Sequence, residues 1–249
     1  MNTLKSTSEN LAQQFEREGV LFTPRSFDWV PGDIVFELRS HPSLASLPSF
    51  REGMFYVQDP STLLAVRVLN PQPGETILDL CAAPGGKATM IAQLMENRGA
   101  VIAHDVEINR LKLISENATR LGASGVKATS PAELAAFGTA TQFDRILVDA
   151  PCSNTGVMRR RVELRWRIQP SEIERLREVQ LQLLRQAATL LKPGGTLVYS
   201  TCSLEPEENG EVVGEFLATG PGFTRVSERS LFPFNDGTDG AFVSVFRKE

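Results

Sequence analysis

From residue 76 onward, short apolar runs alternate with stretches whose apolar residues return every third or fourth position. The runs are "TILDL", "AVIAHD", "FDRILVDA" and "GGTLVYST"; the periodic stretches are "GGKATMIAQLMEN", "INRLKLISENATRLG", "PSEIERLREVQLQLLRQAATLL" and "ENGEVVGEFLAT". A short apolar run bounded by turn residues reads as a buried strand, and a 3.6-residue return reads as an amphipathic helix. Gly122 closes one helix, and Pro170 or Ser171 opens the next long one. Strands alternating with helices predict an α/β domain whose mostly parallel sheet is covered on both faces. The tail, "GFTRVSE" and "GAFVSVFRKE", lacks an intervening helix, so one late strand is expected to be antiparallel.

Residues 1–52 break this rhythm. "ENLAQQFEREGV" has helical spacing, "SFDWVPGDIVFELR" is strand-like, and "SHPSLASLPSF" reads as a loop. So short a piece holds too little for a core of its own. It is expected to pack as an α+β extension on a catalytic domain spanning 53–249, or to be the cut end of a longer protein.

Composition changes this picture little. With 249 residues, 41% hydrophobic and 22% charged, the chain reads as globular, and no stretch approaches about 18 apolar residues. With no apolar leader either, a cytosolic protein is expected. The formal charge of −4 does not announce a nucleic-acid binder. A local basic run can still do that work, and "MRRRVELRWR" sets Arg159, Arg160, Arg161, Arg165 and Arg167 against Glu163 alone. Taken by itself the run is a solvated helix face. Lying just past a candidate reactive loop, it gains a second reading, contact with RNA phosphates.

The candidate chemistry lies in three cysteines. Cys81 ends "TILDLC", Cys152 follows "RILVDAP", and Cys202 follows "TLVYST". Their spacing makes a poor disulfide framework and offers no C-x-x-C metal pair, so reduced thiols and no metal are expected. Each sits at the carboxyl end of an expected parallel strand, the edge where open α/β sheets bind ligands. One such cysteine would ordinarily be a small core residue; three at one edge are expected to converge on one cleft. In "CAAPGGK", Gly85 and Gly86 allow a ligand close to the backbone at a helix N-terminus. Twenty positions past Gly85 stands Asp105, an acid placed for the ribose hydroxyls of an adenosyl cofactor. These residues alone do not rank Cys152 against Cys202.

"LDLCAAPGGK", "FDRILVDAPCSNTG" and "LKPGGTLVYSTCSLEPEEN" closely resemble the motifs of the RNA (cytosine-5) methyltransferases, a family of bacterial ribosomal RNA enzymes and eukaryotic nucleolar relatives. The resemblance runs from about Gly53 to the C-terminus. It implies a Rossmann-like S-adenosylmethionine-dependent methyltransferase fold with a mostly parallel seven-stranded sheet. It also implies that Cys81, Ala82, Ala83, Pro84, Gly85, Gly86 and Lys87 wrap S-adenosylmethionine, mainly through backbone. Asp105 would take the ribose, Arg110 is a further cofactor position, and Asp149 would stand near both the methionine moiety and the base. The resemblance makes Cys202, of the Thr-Cys motif, the nucleophile and Cys152 the auxiliary thiol that helps release product. Three departures stand out. Where relatives carry an adenine-side acid, "VKATSPAELA" has Ala132 with Glu133 beside it, so either Glu133 substitutes or the adenine contact is weakened. Arg161 and Val162 replace the family's His-Pro, and residues 1–50 match only part of longer N-terminal RNA-binding regions.

The implied chemistry is covalent. Carbon 5 of cytosine is a poor nucleophile until a thiolate adds to carbon 6. Asp149 is the candidate for protonating or stabilising the ring nitrogen, with a loop cap as its alternative role. Cys202 has no evident base: His41 and His104 lie outside both loops, and His104 is expected to be structural. Lys87 and the arginines are candidates for favouring the thiolate. Glu208 and Asn209 are either a helix start or part of the site. The base must be single-stranded or flipped, and Trp166 is read as core packing first and base stacking second. Two other functions fit the motifs in part. One is a DNA cytosine-5 methyltransferase using Cys152; the other is an RNA-binding or ribosome-assembly module that keeps the fold without methylating.

Overall fold

The computed structural model describes residues 1–138, 143–220 and 222–249. The chain begins with α1 (Ser8–Arg17), the hairpin of β1 (Leu21–Phe27) and β2 (Val30–Ser40), and the single turn α2 (Pro48–Arg51). There follow α3 (Thr62–Leu69), β3 (Thr76–Asp79), α4 (Gly86–Leu94), β4 (Ala100–His104), α5 (Ile108–Leu121), β5 (Val126–Thr129) and α6 (Pro131–Ala136). The second half runs β6 (Phe143–Asp149), α7 (Pro170–Leu190), β7 (Leu191–Thr201), α8 (Gly210–Thr219), β8 (Phe223–Leu231), α9 (Pro233–Asp236) and β9 (Ala241–Lys248).

Seven strands form one sheet in the order β5-β4-β3-β6-β7-β9-β8. The pairs from β5 through β7 are parallel, whereas β9 runs antiparallel to both β7 and β8. The expected antiparallel strand is therefore β9, slotted between β7 and β8. Alternation along each strand feeds two cores. Ile77, Val101, Leu147 and Val198 pack with α3, α4 and α5, while Leu78, Ile102, Ile146 and Tyr199 pack with α7 and α8. All eight of these side chains are buried, and truncating Ile146 to alanine would cost about 2–5 kcal/mol.

Four short helices, α2, α3, α6 and α9, escape the periodic pattern. In α3, Leu63, Leu64, Ala65, Val66 and Leu69 are all buried, and the exposed Arg67 gives too short a polar stripe to read. The stretch "SHPSLASLPSF", expected to be a loop, instead contains a 3-10 turn (Leu44–Ser46) and α2, which Pro48 opens at its first position.

The N-terminal 52 residues share a small cluster with Phe55, at the start of the segment that follows them. Leu11, Phe15, Val20, Leu47 and Phe55 are buried together, and the Phe15 ring meets Phe55 edge-on at 5.2 Å. The hairpin's Trp29 and Val30 belong instead to the main core. The Asn2 amide donates to the carbonyls of Gly53 (2.8 Å) and Leu121 (2.7 Å), tying the start of the chain to the end of α5. Among the described residues, no helix is long and apolar enough to cross a membrane.

Candidate active site

Strand order reverses between β3 and β6, so the crevice of this sheet opens at their carboxyl ends. Cys81, Cys152 and Cys202 follow β3, β6 and β7, three neighbours in the sheet. Two of the three thiols meet: the Cys152 and Cys202 sulfurs are 3.2 Å apart. Cys81 stands aside, lining a cavity of about 300 Å³ with Tyr56, Asp79, Lys87, Asp149 and Arg160. Burial pushes the Cys81 thiol up, and the nearby Asp79, Asp149 and Asp105 carboxylates add to it, so this sulfur is a poor nucleophile.

The turn after β3 is held from the next strand end. Asp105, buried, accepts from Ala83 N–H (3.1 Å) and Glu107 N–H (3.0 Å), while Arg110 donates to the Ala83 carbonyl at 2.7 Å. Arg110 also pairs with Asp105 at 3.5 Å. Gly85 has φ 105°, and a Cβ there would lie 3.2 Å from the α5 backbone at Ile114, so only glycine suits this position. Asp105 and Arg110 thus brace the turn, a role their spacing alone does not reveal.

Lys87, on the first turn of α4, donates to Asp149 Oδ2 at 2.6 Å, and Ser200 donates to Asp149 Oδ1 at 2.8 Å. Burial alone would lower the Lys87 ammonium, but Asp149 and then Asp79 more than offset it, and the net shift is upward. Lys87 is thereby held as an ammonium between these carboxylates. Asp79 is different. It is fully buried, and neither carboxylate oxygen has a hydrogen-bond partner. Burial, with Asp149 second, pushes its carboxyl up to about 7, against the pull of Lys87.

The thiol loops rest on a polar network. Asn154, with φ 62°, donates to the Cys152 carbonyl (2.7 Å) and accepts from the Cys202 thiol (3.0 Å). Glu208 is fully buried and accepts from Ser153 N–H (2.9 Å), Gln180 (3.0 Å), the Ser203 hydroxyl (2.5 Å) and the Ser153 hydroxyl. Asn209 accepts from Thr201 Oγ1 at 2.6 Å and donates to the Ser203 carbonyl at 2.9 Å, bracketing Cys202. Both residues therefore shape the thiol loops as well as starting α8. Cys152 is buried, and its hydrogen bond with Cys202, then burial, push its thiol well above the usual range.

Several expectations need correction. Trp166 is not core packing: it is 85% exposed. The arginine run is not a helix face either, but a turn and a 3-10 helix (Val162–Trp166). Arg159 and Arg160 are held by two buried carboxylates, Asp59 and Asp239, and Arg161 pairs with Glu163 at 3.2 Å. Glu133 completes a capping box with Ser130 at the start of α6, its Oε2 accepting from the Ser130 N–H and hydroxyl. His104 is buried with Nδ1 2.8 Å from the Leu80 carbonyl, a structural residue as expected. His41 is exposed on a neighbouring cleft. Asp79 and Asn154 lie inside the quoted motifs without being singled out there, whereas Asp59 and Asp239 have no local sequence signal, because they gain their meaning from partners distant in the chain and from burial.

The sheet order, the glycine turn and the acids at the switch point define a Rossmann-like fold of the methyltransferase kind. Solved structures agree. A methyltransferase homolog protein from Pyrococcus horikoshii, 34% identical, superposes with a TM-score of 0.84 over all of this chain and 85% of its own. NSun6 from the same organism, solved with SFG, is 26% identical with a TM-score of 0.86, over all of this chain and 89% of its own. Residues 66–247 match the family described as 16S rRNA methyltransferase RsmB/F, and the chain belongs to that family. A probable ribosomal RNA small subunit methyltransferase B of Bacillus subtilis is 38% identical over 268 residues, all of this chain and 59% of that one. The chain spans about half the length of the curated relatives it matches.

Proposed function

We propose that this chain is the catalytic part of an S-adenosylmethionine-dependent enzyme that methylates carbon 5 of a cytosine in RNA, ribosomal RNA before transfer RNA. Family membership supports the reaction class and the nucleic acid. The observation that carries the mechanism is the pair of sulfurs at 3.2 Å beside the Lys87–Asp149 ion pair.

The cavity suits the cofactor. Asp79 offers two unpartnered acceptor oxygens, the turn from Cys81 to Lys87 offers backbone at a helix N-terminus, and Asp105 and Arg110 hold that turn in shape. S-adenosylmethionine supplies a sulfonium-bound methyl group that a carbon nucleophile can take. The protein's work is on the base. A Cys202 thiolate adds to carbon 6, which makes carbon 5 enamine-like and able to accept the methyl group. Asp149, fixed by Lys87 and Ser200, is placed to stabilise a proton on the ring nitrogen. After transfer, the carbon-5 proton passes to a base, its bonding pair re-forms the carbon 5–carbon 6 double bond, and Cys202 leaves carbon 6 as the thiolate, which the Cys152 thiol 3.2 Å away assists by donating a hydrogen bond to it.

Physical differences rank the two thiols. Cys202 is partly exposed and near the Lys87 ammonium; Cys152 is buried, and its deprotonation is disfavoured. This favours Cys202 as nucleophile over the DNA-type assignment to Cys152. For RNA, the exposed Trp166 offers a stacking face between Arg165 and Arg167, and the half-exposed edges of Arg159 and Arg160 line the neighbouring cleft. The names of bacterial relatives that act on ribosomal RNA support a cytoplasmic site of action.

The experiment incubates hypomethylated ribosomal and transfer RNA with labelled S-adenosylmethionine and wild type, Cys202→Ala or Cys152→Ala. Expected are loss of 5-methylcytosine and of the covalent protein–RNA band for Cys202→Ala, and accumulation of that band for Cys152→Ala. An adduct that survives Cys202→Ala and vanishes in Cys152→Ala reverses the roles. No label from wild type on either RNA would favour the non-methylating module.

A further inference from the structure

Outside the thiol centre, two arginines and two buried acids join three loops that are far apart in sequence. Arg159 Nε meets Asp239 Oδ1 at 2.6 Å, and its Nη2 meets Asp59 Oδ2 at 2.8 Å. Arg160 Nη2 meets Asp239 Oδ2 at 2.6 Å, its Nε meets Asp239 Oδ1 at 3.1 Å, and Nη2 also reaches Asp59. The Asp239 N–H donates to Asp59 Oδ1 at 2.9 Å, and the Ser61 N–H to the same oxygen at 3.0 Å. Both acids are nearly inaccessible, whereas the guanidinium groups are about half exposed. Two charges of each sign cancel, so the cluster adds little to long-range attraction of RNA. Its planar, fork-shaped contacts are suited to fixing geometry.

What it fixes is one residue away. Gly240 follows Asp239, and its N–H donates to the Gly156 carbonyl at 2.9 Å. Gly156, on the loop that ends at the arginines, donates in turn to the Cys202 carbonyl at 2.9 Å. The three backbones touch: a Cβ on Gly156 would lie 2.6 Å from the Cys202 carbonyl oxygen and 2.9 Å from Gly240 Cα. Cys152 and Asn154 precede Gly156 on the same loop. The clasp therefore grips both the loop of Cys152 and the turn that backs Cys202.

We propose that Asp59 and Asp239 are positioning residues for the thiol pair: through Arg159 and Arg160 they hold Gly240 on Gly156 and Gly156 on the Cys202 carbonyl, and so set the separation of the two sulfurs. The role in catalysis rests on the proposed methyl transfer; the geometry does not. Buried ion pairs are poor sources of net stability, and fixing one arrangement is a use that fits them better.

The test reads the geometry directly and the reaction separately. Wild type, Asp239→Asn, Arg160→Lys and the remote control Asp28→Asn, which breaks an external pair with Arg229, are treated with a diazene oxidant. Cys152 and Cys202 lose two hydrogens to the diazene, which becomes a hydrazine, and a sulfur–sulfur bond forms. The linked peptide is quantified against time by mass spectrometry, with the unfolding midpoint as a fold control. Cross-linking is expected to slow by about tenfold in Asp239→Asn and Arg160→Lys and to keep its wild-type rate in Asp28→Asn. In the same two variants kcat for methyl transfer, read at saturating cofactor because Asp239 and Arg160 also line the cofactor cavity, is expected to fall by about a hundredfold.

A cross-linking rate unchanged in folded Asp239→Asn overturns the proposal; a tie serving only the fold would lower the midpoint and leave rate and kcat alone. Should Asp239→Asn not fold, Arg160→Lys, which keeps its charge but loses the fork, decides in the same terms. Slowed cross-linking with no methylation by wild type would retain the clasp and remove the proposed function. Methylation with unchanged cross-linking would do the reverse.

Discussion

The two halves of the crevice are built on opposite plans. At the end of β3 and the start of α4, charge is concentrated and incompletely matched: Asp79 has two orphaned oxygens, and Lys87 is shared between Asp149 and the field of its neighbours. At the ends of β6 and β7, the buried Glu208 is matched on both oxygens by four donors, with only Gln180 Oε1 left over nearby. An unpartnered buried acid costs free energy, while a satisfied polar network rigidifies. The first half is therefore suited to receiving a charged ligand that completes it. The second is complete already, as a site must be when atoms have to meet at a fixed distance.

Removing Glu208 should break that contrast most severely. Glu208→Ala leaves Ser153, Ser203 and Gln180 without their acceptor, and unfolding by denaturant should show a loss of about 3–5 kcal/mol. A loss under about 1 kcal/mol would mean that water replaces the carboxylate and the network is not rigid.

Asp79→Asn should act in the opposite direction. An acid at about 7 in the fold, against 3.8 as its ordinary value, binds its proton more tightly folded than unfolded. Its protonated form contributes fully at low pH, and that contribution is lost as pH rises from about 4 to about 7. The asparagine variant lacks this decline, so its advantage over wild type should grow across that window to at most roughly 4 kcal/mol above pH 7. Cofactor affinity, measured by calorimetry at the same pH, should fall. A stability difference independent of pH would remove Asp79 from the list of strained groups.

The smallest effect sharpens the boundary of the cofactor half. Glu133→Ala should cost about 0.5–1 kcal/mol through the lost capping box and leave cofactor binding unchanged. A tenfold loss of cofactor affinity instead would restore Glu133 as an adenine contact.

Sequence and structure agree where the signal is local. The apolar runs that became β3, β4, β6 and β7 are buried on both faces and bounded by turns, so length and composition sufficed to place Cys81, Cys152 and Cys202 at one edge. The helix α3 was hidden by similar physics, since a helix of 8 residues that buries most of its side chains leaves too few polar positions to show a period. At the site, glycine and cysteine motifs are legible because they are contiguous. Asp59 is invisible: apart from the nearby Ser61 N–H, its partners lie 100, 101 and 180 positions away, and nothing around it marks an acid that will be buried. Trp166 misled for a related reason, because hydrophobicity predicts burial only when an element carries the residue inward, and its short 3-10 turn does not.

The placement of β9 has a consequence for how the centre comes into being. Cys202 is synthesised well before the strand that enters between β7 and β8, and Gly240, which backs the Gly156–Cys202 contact, opens that strand. A nascent chain emerging N-terminus first can assemble the cofactor turn from neighbouring βα units, but this backing of the thiol pair waits for the last threading event of the sheet. Maturation would then be vectorial, with the ligand-receiving half formed first and the covalent chemistry armed only when the end of the fold closes over it.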